Sequence, residues 1–563
     1  MTMESCCADR NRYILPVLWF MAGFSRAVPS VAMRILMVNE LKVQPAQQAM
    51  LGVAGGLPWS FKIFAAFLSD AVPVFGRRRV PYIVLSLLLQ LTAYYILASD
   101  MPSVAALGAL DFMQACGMVF IGTMADTLIV ESMRRLDSGR TRFGALQANC
   151  WISMFIGGLL GNAISGHLHA ATSTQTVFAL TATLKVGMLL IPVTLDDPAG
   201  QKLACADRAR FRQLRIEIVE GASDPRVWRP VLFLFIFSAC PQNGDAWNSF
   251  LFGTPSAPPV VSNASRADAS SANVSAGDTF DAGASNASDM SGGADGDVPL
   301  QPLGLPEEVL GYISVVTTLS QAAGAALYRA CLKRLRLRPL FAAIVCVSSL
   351  LQLTQLLLVL RVNTALGLPD VAFALGDDAI LEISRELLAM PMLVMMAALC
   401  PSGATGTVFA LLTSVQMAGA TLGGSLSAAL TRATGVTLDD YSRLSTLTVA
   451  CVALRLATLL ALGLVPRQSM EQVAADAASR GSSGGGGAGR RFVQLAEETM
   501  TKPPDGDAPM PDAKSAAGDS STSGGGGSQR QPRRRYLGAV LMLGLIASSL
   551  VWNVTAMLRS LAY

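Results

Sequence analysis

Apolar stretches of about 20 residues, enough for a helix to cross a hydrocarbon layer of roughly 30 Å, recur along the chain with polar punctuation between them. They fall at residues 13–37, 47–71, 81–99, 105–131, 144–167 and 174–195, and again at 230–252, 307–330, 339–361, 379–400, 405–433 and 442–464. A basic segment carrying Arg208, Arg210, Arg212, Arg215, Arg226 and Arg229 divides the two sets of six. The pattern predicts an all-α membrane protein of two six-helix halves. A further apolar run at 536–558 predicts a thirteenth span, with an interfacial helix as its alternative.

The halves repeat each other in detail. The second span of each is followed by a basic turn, GRRR in one and LKRLRLR in the other. The fifth span of each carries a small-xxx-small pair, Gly157 with Gly161 and Gly419 with Gly423, which allows close backbone approach between helices. The expected organisation is a first half at 1–200, a cytosolic loop at 201–229, a second half at 230–465 with an insertion at 253–306, a flexible Gly/Ser-rich linker at 466–535 and the extra span at 536–558.

Composition sharpens this picture. A chain of 563 residues that is 52% hydrophobic and 15% charged is too apolar to be soluble. Its net charge of +4 is no nucleic-acid signal, because the basic residues sit in loops between spans, where they mark the cytosolic side. That orientation puts residues 253–306 outside, where the sequons at Asn263, Asn273 and Asn286 are expected to be glycosylated. A multi-pass protein of the plasma membrane is the expectation. No Walker motif, nucleophile elbow or metal-ligand cluster occurs, and there are only two histidines. Neither an enzyme nor a bound cofactor is expected; a solute or ion gradient must supply the energy.

Charges inside the spans carry the candidate chemistry. A lysine near the centre of a span costs about 2.5–3.5 kcal/mol on insertion scales, so Lys62 is expected to face a cavity. Trp59, three residues earlier, would share its helix face. Arg26 lies near the middle of span one, and Asp245 within span seven. Arg26, Trp59, Lys62 and Asp245 are therefore the expected substrate-binding constellation, with structural ion pairing and packing as the plain alternative.

Residues Leu57 to Tyr82, LPWSFKIFAAFLSDAVPVFGRRRVPY, give this reading a family. With Trp228-Arg229-Pro230, Pro241, GYISVVTTLSQAAGAALY, LPDVAFALGDD and CPSGATGTVFALLTS, they resemble the blocks of the folate-biopterin transporter family, a branch of the major facilitator superfamily. Pro58, Trp59, Lys62, Ser69, Asp70, Pro73, Gly76, Arg78, Pro81 and Tyr82 carry the match; Ile63, Gly122, Thr405 and Met417 depart from it. The resemblance covers residues 13 to about 465. It implies the major facilitator fold in a monomer and import of folate or biopterin by alternating access. It also implies a cytoplasmic gate of Asp70, Arg78, Asp126 and Glu131. A co-transported proton, carried by Asp126 or Asp245, is a candidate partner. A pterin offers a flat face and a guanidine-like donor edge, and folate adds glutamate carboxylates, so recognition calls for an aromatic surface, a carboxylate and cations. The departures leave rivals standing: a carrier of S-adenosylmethionine or another small organic solute, or a transport-dead receptor of the same fold.

Overall fold

In hydrocarbon a backbone must satisfy its own polar groups, which leaves helices as the solution for apolar runs of this kind. The structure, a computed structural model, describes residues 3–135, 143–197, 224–254, 300–332, 335–399, 405–468, 472 and 537–561. Helices account for its regular elements, with no strand among the described residues. The sequons Asn263, Asn273 and Asn286, most of the central loop and nearly all of the Gly/Ser-rich linker lie outside the described residues.

Thirteen helical spans result among the described residues. Span one runs through Met3–Ala27, Ser30–Ile35 and a π-helical turn, Leu36–Glu40. Span two consists of Pro45–Ser60 and Lys62–Ala71. Spans three, four and five are Val80–Ser99, Val104–Arg135 and Phe143–Ala171, and span six is Thr174–Met188 continued by Leu190–Val193. In the second half, span seven is Pro225–Ser238 and Gly244–Phe252, and span eight is Glu307–Leu327 with a π-helical turn, Tyr328–Leu332. Span nine comprises Leu337–Gln352, Gln355–Val359 and Val362–Ala365. Spans ten and eleven are Asp370–Leu399 and Thr405–Thr434; span twelve is Leu444–Ala457 with a 3₁₀ segment, Thr458–Leu464. Span thirteen is Leu537–Leu561. Eight of these are long and apolar enough to cross a membrane on length and composition alone. The other five, spans two, five, seven, ten and eleven, fall outside that set, and all five line the central cavity.

The small-residue pairs act as the repeat predicts. A Cβ on Gly157 would lie 2.2 Å from the Phe20 carbonyl oxygen, and one on Gly161 2.8 Å from that of Phe24, so span five lies directly on the backbone of span one. In the second half, a Cβ on Gly419 would meet the Phe235 carbonyl at 2.7 Å, and one on Gly423 that of Ser238 at 2.7 Å. Spans eleven and seven thus repeat the contact of spans five and one.

The turn after span two bears Arg77, Arg78 and Arg79 and defines the basic end of the bundle. It closes as a two-residue hairpin in which Val74 and Arg77 exchange both backbone hydrogen bonds at 3.0 Å. Phe75 and Gly76 both take positive φ, 50° and 72°, the geometry a type I′ turn requires. At the far end the halves are joined. Arg34 Nη1 donates to Asn248 Oδ1 at 2.9 Å, Ser249 Oγ to Gln48 Oε1 at 3.1 Å, and the Leu438 amide to Gln44 Oε1 at 3.1 Å. His169, which is buried, contacts Glu307 across the same seam at 2.5 Å. An apolar cluster of Val31 and Ile35 with Trp247, Phe250, Leu310 and Ile313 seals it. Toward the basic end, the described apolar clusters stay within one half: Leu15, Tyr82, Ile83 and Met124 in the first, Val231, Phe233 and Phe341 in the second.

Span thirteen packs along the bundle. Asn553, fully buried, donates to Thr421 Oγ1 at 3.0 Å and accepts from Ser425 Oγ at 2.5 Å, while Ser549 Oγ donates to the Ala418 carbonyl at 2.6 Å. Ala556 and Met557 reach Ala49 and Met50 of span two as well as Ala428 of span eleven, so this helix touches both halves.

Candidate functional site: a charged central cavity

Spans one and seven, equivalent in the repeat, are both interrupted at mid-depth. Proline supplies no N–H and crowds the preceding turn; Pro29 stands at the first interruption and Pro241 in the second, between Ser238 and Gly244. At the second, Asn243 and the Gln242 amide find partners within the protein. Asn243 Nδ2 donates to Gln355 Oε1 and Thr448 Oγ1, both at 2.9 Å, and its Oδ1 accepts from Gln352 Nε2 at 2.8 Å. The Gln242 amide donates to Ser427 Oγ at 2.8 Å. Interrupted helices of this kind commonly build binding sites at the membrane midplane.

Between the interruptions lies a cavity of about 800 Å³, lined from both halves. Arg26 and Ser30 flank the break in span one, and Asp245 sits in the first turn after the break in span seven, where the helix dipole favours a carboxylate. Four arginines line the cavity, Arg26, Arg34, Arg385 and Arg455, against three carboxylates, Asp245, Asp378 and Glu382. Arg34 is committed to Asn248, and Arg385 to Glu382 at 3.1 Å. The side chains of Arg26, Asp245 and Arg455 make no hydrogen bond or ion pair among the described residues, and Arg26 and Asp245 are exposed to the cavity. Phe155 and Trp247 provide aromatic surface.

Arg26 and Asp245 therefore stand where the sequence places them, on one cavity, whereas Trp59 and Lys62 are not among its lining residues. The reason is local. The helix ends at Ser60 and restarts at Lys62, with Phe61 at φ −104° and ψ 11°, so the three-residue spacing no longer defines a common face. Lys62 Nζ instead meets Asp126 Oδ2 at 3.2 Å, with each side chain about one-third exposed (30% and 33%). The residue expected at the substrate thus pairs with one expected at the gate.

At the basic end, Arg78 is half-buried and Arg77 exposed. Arg79 is buried at 3% exposure and gives Nη1 to Ser69 Oγ at 2.5 Å. Asp197 Oδ2 accepts from the backbone amides of Arg79 and Val80 at 2.8 and 2.9 Å, capping span three from a distant segment. Tyr82 Oη donates to the Val72 carbonyl at 2.6 Å. Asp70 ends span two and Glu131 lies near the end of span four; their side chains are outside the described residues.

Several contributors escape a reading of sequence. Arg34, Asp378 and Arg455 line the cavity, as do Glu382 and Arg385. Each is an ionisable group within or at the edge of an apolar run, a signal of function in its own right. Lys185 has a structural explanation: Nζ donates to Ser25 Oγ at 2.8 Å and lies 5.9 Å above the Tyr94 ring, behind Arg26 rather than in the cavity.

Comparison with known proteins agrees with this fold. The chain is similar to the folate-biopterin transporter of Synechocystis sp., 28% identical over 447 residues that cover 79% of this chain and 78% of that protein. It is 25% identical to the probable folate-biopterin transporter 2 of Arabidopsis thaliana over 79% of this chain and 80% of that one. Against folate transporter 2 of Plasmodium falciparum the identity is 22%, covering 78% and 84%. Among solved structures, a POT family transporter in complex with a thioalcohol conjugated peptide aligns with TM-score 0.54 at 13% identity, covering 81% of this chain and 97% of that one. A mutant of the nucleoside transporter NupG aligns with TM-score 0.53 at 11% identity, covering 81% and 100%. The BT1 family model matches residues 22–482, short of span thirteen, and the chain belongs to the BT1 family.

Proposed function

We propose that the chain is a secondary transporter that carries folate-like pteridines through the central cavity by alternating access. The observation that carries this reading is that Arg26, Asp245 and Arg455, whose side chains make no hydrogen bond or ion pair among the described residues, are brought from both halves onto one cavity. Asp245 suits the donor edge of a pterin, the arginines suit glutamate carboxylates, and Phe155 and Trp247 suit the flat ring. The names of the relatives point to the same solute class. Four arginines against three carboxylates disfavour a cationic substrate such as S-adenosylmethionine.

The basic end is the cytosolic one. With the far-end seam joined, the structure corresponds to a state closed toward the outside. Lys62 with Asp126, together with Asp70, Arg78 and Glu131, forms the cytosolic gate. Asp245 carries a co-transported proton. The protein works as a monomer in the plasma membrane, with glycans at Asn263, Asn273 and Asn286.

Uptake of labelled folate and biopterin into cells lacking their own carriers tests this. Saturable uptake that falls at least tenfold in Arg26→Ala and Asp245→Asn at matched surface expression is expected. Absence of uptake with protein at the surface would retire the transporter reading in favour of a receptor. Uptake indifferent to an imposed proton gradient would remove the proton.

A further inference from the structure

Spans ten and twelve each put an arginine into the second-half wall of the cavity, Arg385 and Arg455. Both side chains line one cavity and lie within electrostatic reach of one another, and Arg455 is likewise within reach of the thiols of Cys240 and Cys451. Among the described residues, this pair has one carboxylate at ion-pair distance, Glu382, held by Arg385 at 3.1 Å. Asp378 lies beyond that distance and divides its attraction between Arg385 and Arg34. Nearby lining groups on span nine, Ser348, Gln352 and Gln355, are neutral.

Two like charges in a partly desolvated site call for an anion, because in a low dielectric their mutual repulsion is poorly screened. Guanidinium favours a planar two-oxygen acceptor, which a carboxylate supplies in matching geometry. Asp245, on span seven, supplies the opposite sign elsewhere on the same cavity.

We propose that Arg385 and Arg455 form a carboxylate-binding subsite that receives the glutamate end of an acylglutamate-bearing pteridine, with Asp245 taking the pterin donor edge. This rests on the transporter reading above and narrows it: the chain discriminates among pteridines by the carboxylate tail. Arg455 is then a specificity-determining residue, and its neutral variant must damage folate handling more than that of biopterin, which lacks the tail.

The test has two independent arms. In carrier-deficient cells, the ratio of folate to biopterin uptake is expected to fall at least tenfold in Arg455→Gln, with partial recovery in Arg455→Lys. An unchanged ratio overturns the subsite, whether uptake of both solutes falls together or neither moves. In detergent, N-acetylglutamate is expected to raise the Tm of the purified full-length wild type, and the shift is expected to vanish in Arg455→Gln; a wild type that does not respond overturns the subsite. A wild type that takes up no pteridine but is stabilised by N-acetylglutamate through Arg455 would sink the pteridine reading and keep the carboxylate subsite.

Discussion

A single lysine shows how a charge inside a span finds its role. Lys62 is costly in hydrocarbon, and both a substrate and a protein carboxylate could offset that cost. The structure gives it Asp126 at 3.2 Å. With both side chains about one-third exposed (30% and 33%), solvent screening holds the pair to roughly 0.5–1 kcal/mol. Lys62→Gln and Asp126→Asn are each expected to slow uptake without weakening substrate affinity. The swapped pair Lys62→Asp with Asp126→Lys is expected to recover part of the rate, and a swap no better than either single variant would contradict the pairing. The presence of charge at Lys62, Arg26 and Asp245 was legible in the sequence. Which of them share a cavity was not, because that depended on one helix stopping at Ser60 and restarting at Lys62. Arg455 was overlooked for the opposite reason: one arginine in the run VALRLATL disturbs the apolar pattern too little to stand out, although its place on the cavity wall makes it chemically important.

At the level of elements, helix spacing follows from side-chain absence. Gly157 faces the Phe20 carbonyl with no room for a methyl group, whereas its neighbour Gly158 has nothing within 4 Å of its Cβ position. Gly157→Val is therefore expected to abolish surface expression, and Gly158→Val to preserve it; equal expression of the two would contradict the packing. The span boundaries were legible almost throughout, since period and length alone separate apolar runs from basic turns. The interruptions at Pro29 and Pro241 were written in the sequence as prolines, but their alignment on opposite sides of one cavity emerges only from the packing of the halves. Span thirteen is an element of another kind, placed beyond the family match yet bonded to span eleven. Interhelical hydrogen bonds within membranes are worth about 0.6–2 kcal/mol each. Asn553→Leu, which abandons Thr421 and Ser425, is expected to lower the Tm by several degrees, and deletion of 537–561 by more. Unchanged melting would show that the helix merely rests on the bundle.

For the whole molecule, the described hydrogen bonds and the apolar cluster of Val31, Trp247 and Leu310 join the halves at the far end, spans two and eleven pack along the bundle, and the described apolar clusters of the basic end stay within their own half. Such a distribution suits two rigid halves rocking about a central site, with one set of contacts made as the other is broken. The two-half plan was readable from the repeat of basic turns and glycine pairs. The state of the molecule was not, because it depends on side-chain partners such as Arg34 with Asn248 that lie more than 200 residues apart. If the halves rock, fixing the far seam must halt exchange across the membrane. Purified protein with Gln48→Cys and Ser249→Cys, in a background whose native cysteines are replaced, would be placed in liposomes loaded with unlabelled folate. Uptake of labelled folate by counterflow would then be followed before and after a reducible cross-linker bridges the two positions. Exchange that stops on cross-linking and resumes on reduction is the expected result; exchange that continues through a cross-linked seam would contradict transport by alternating access through this cavity.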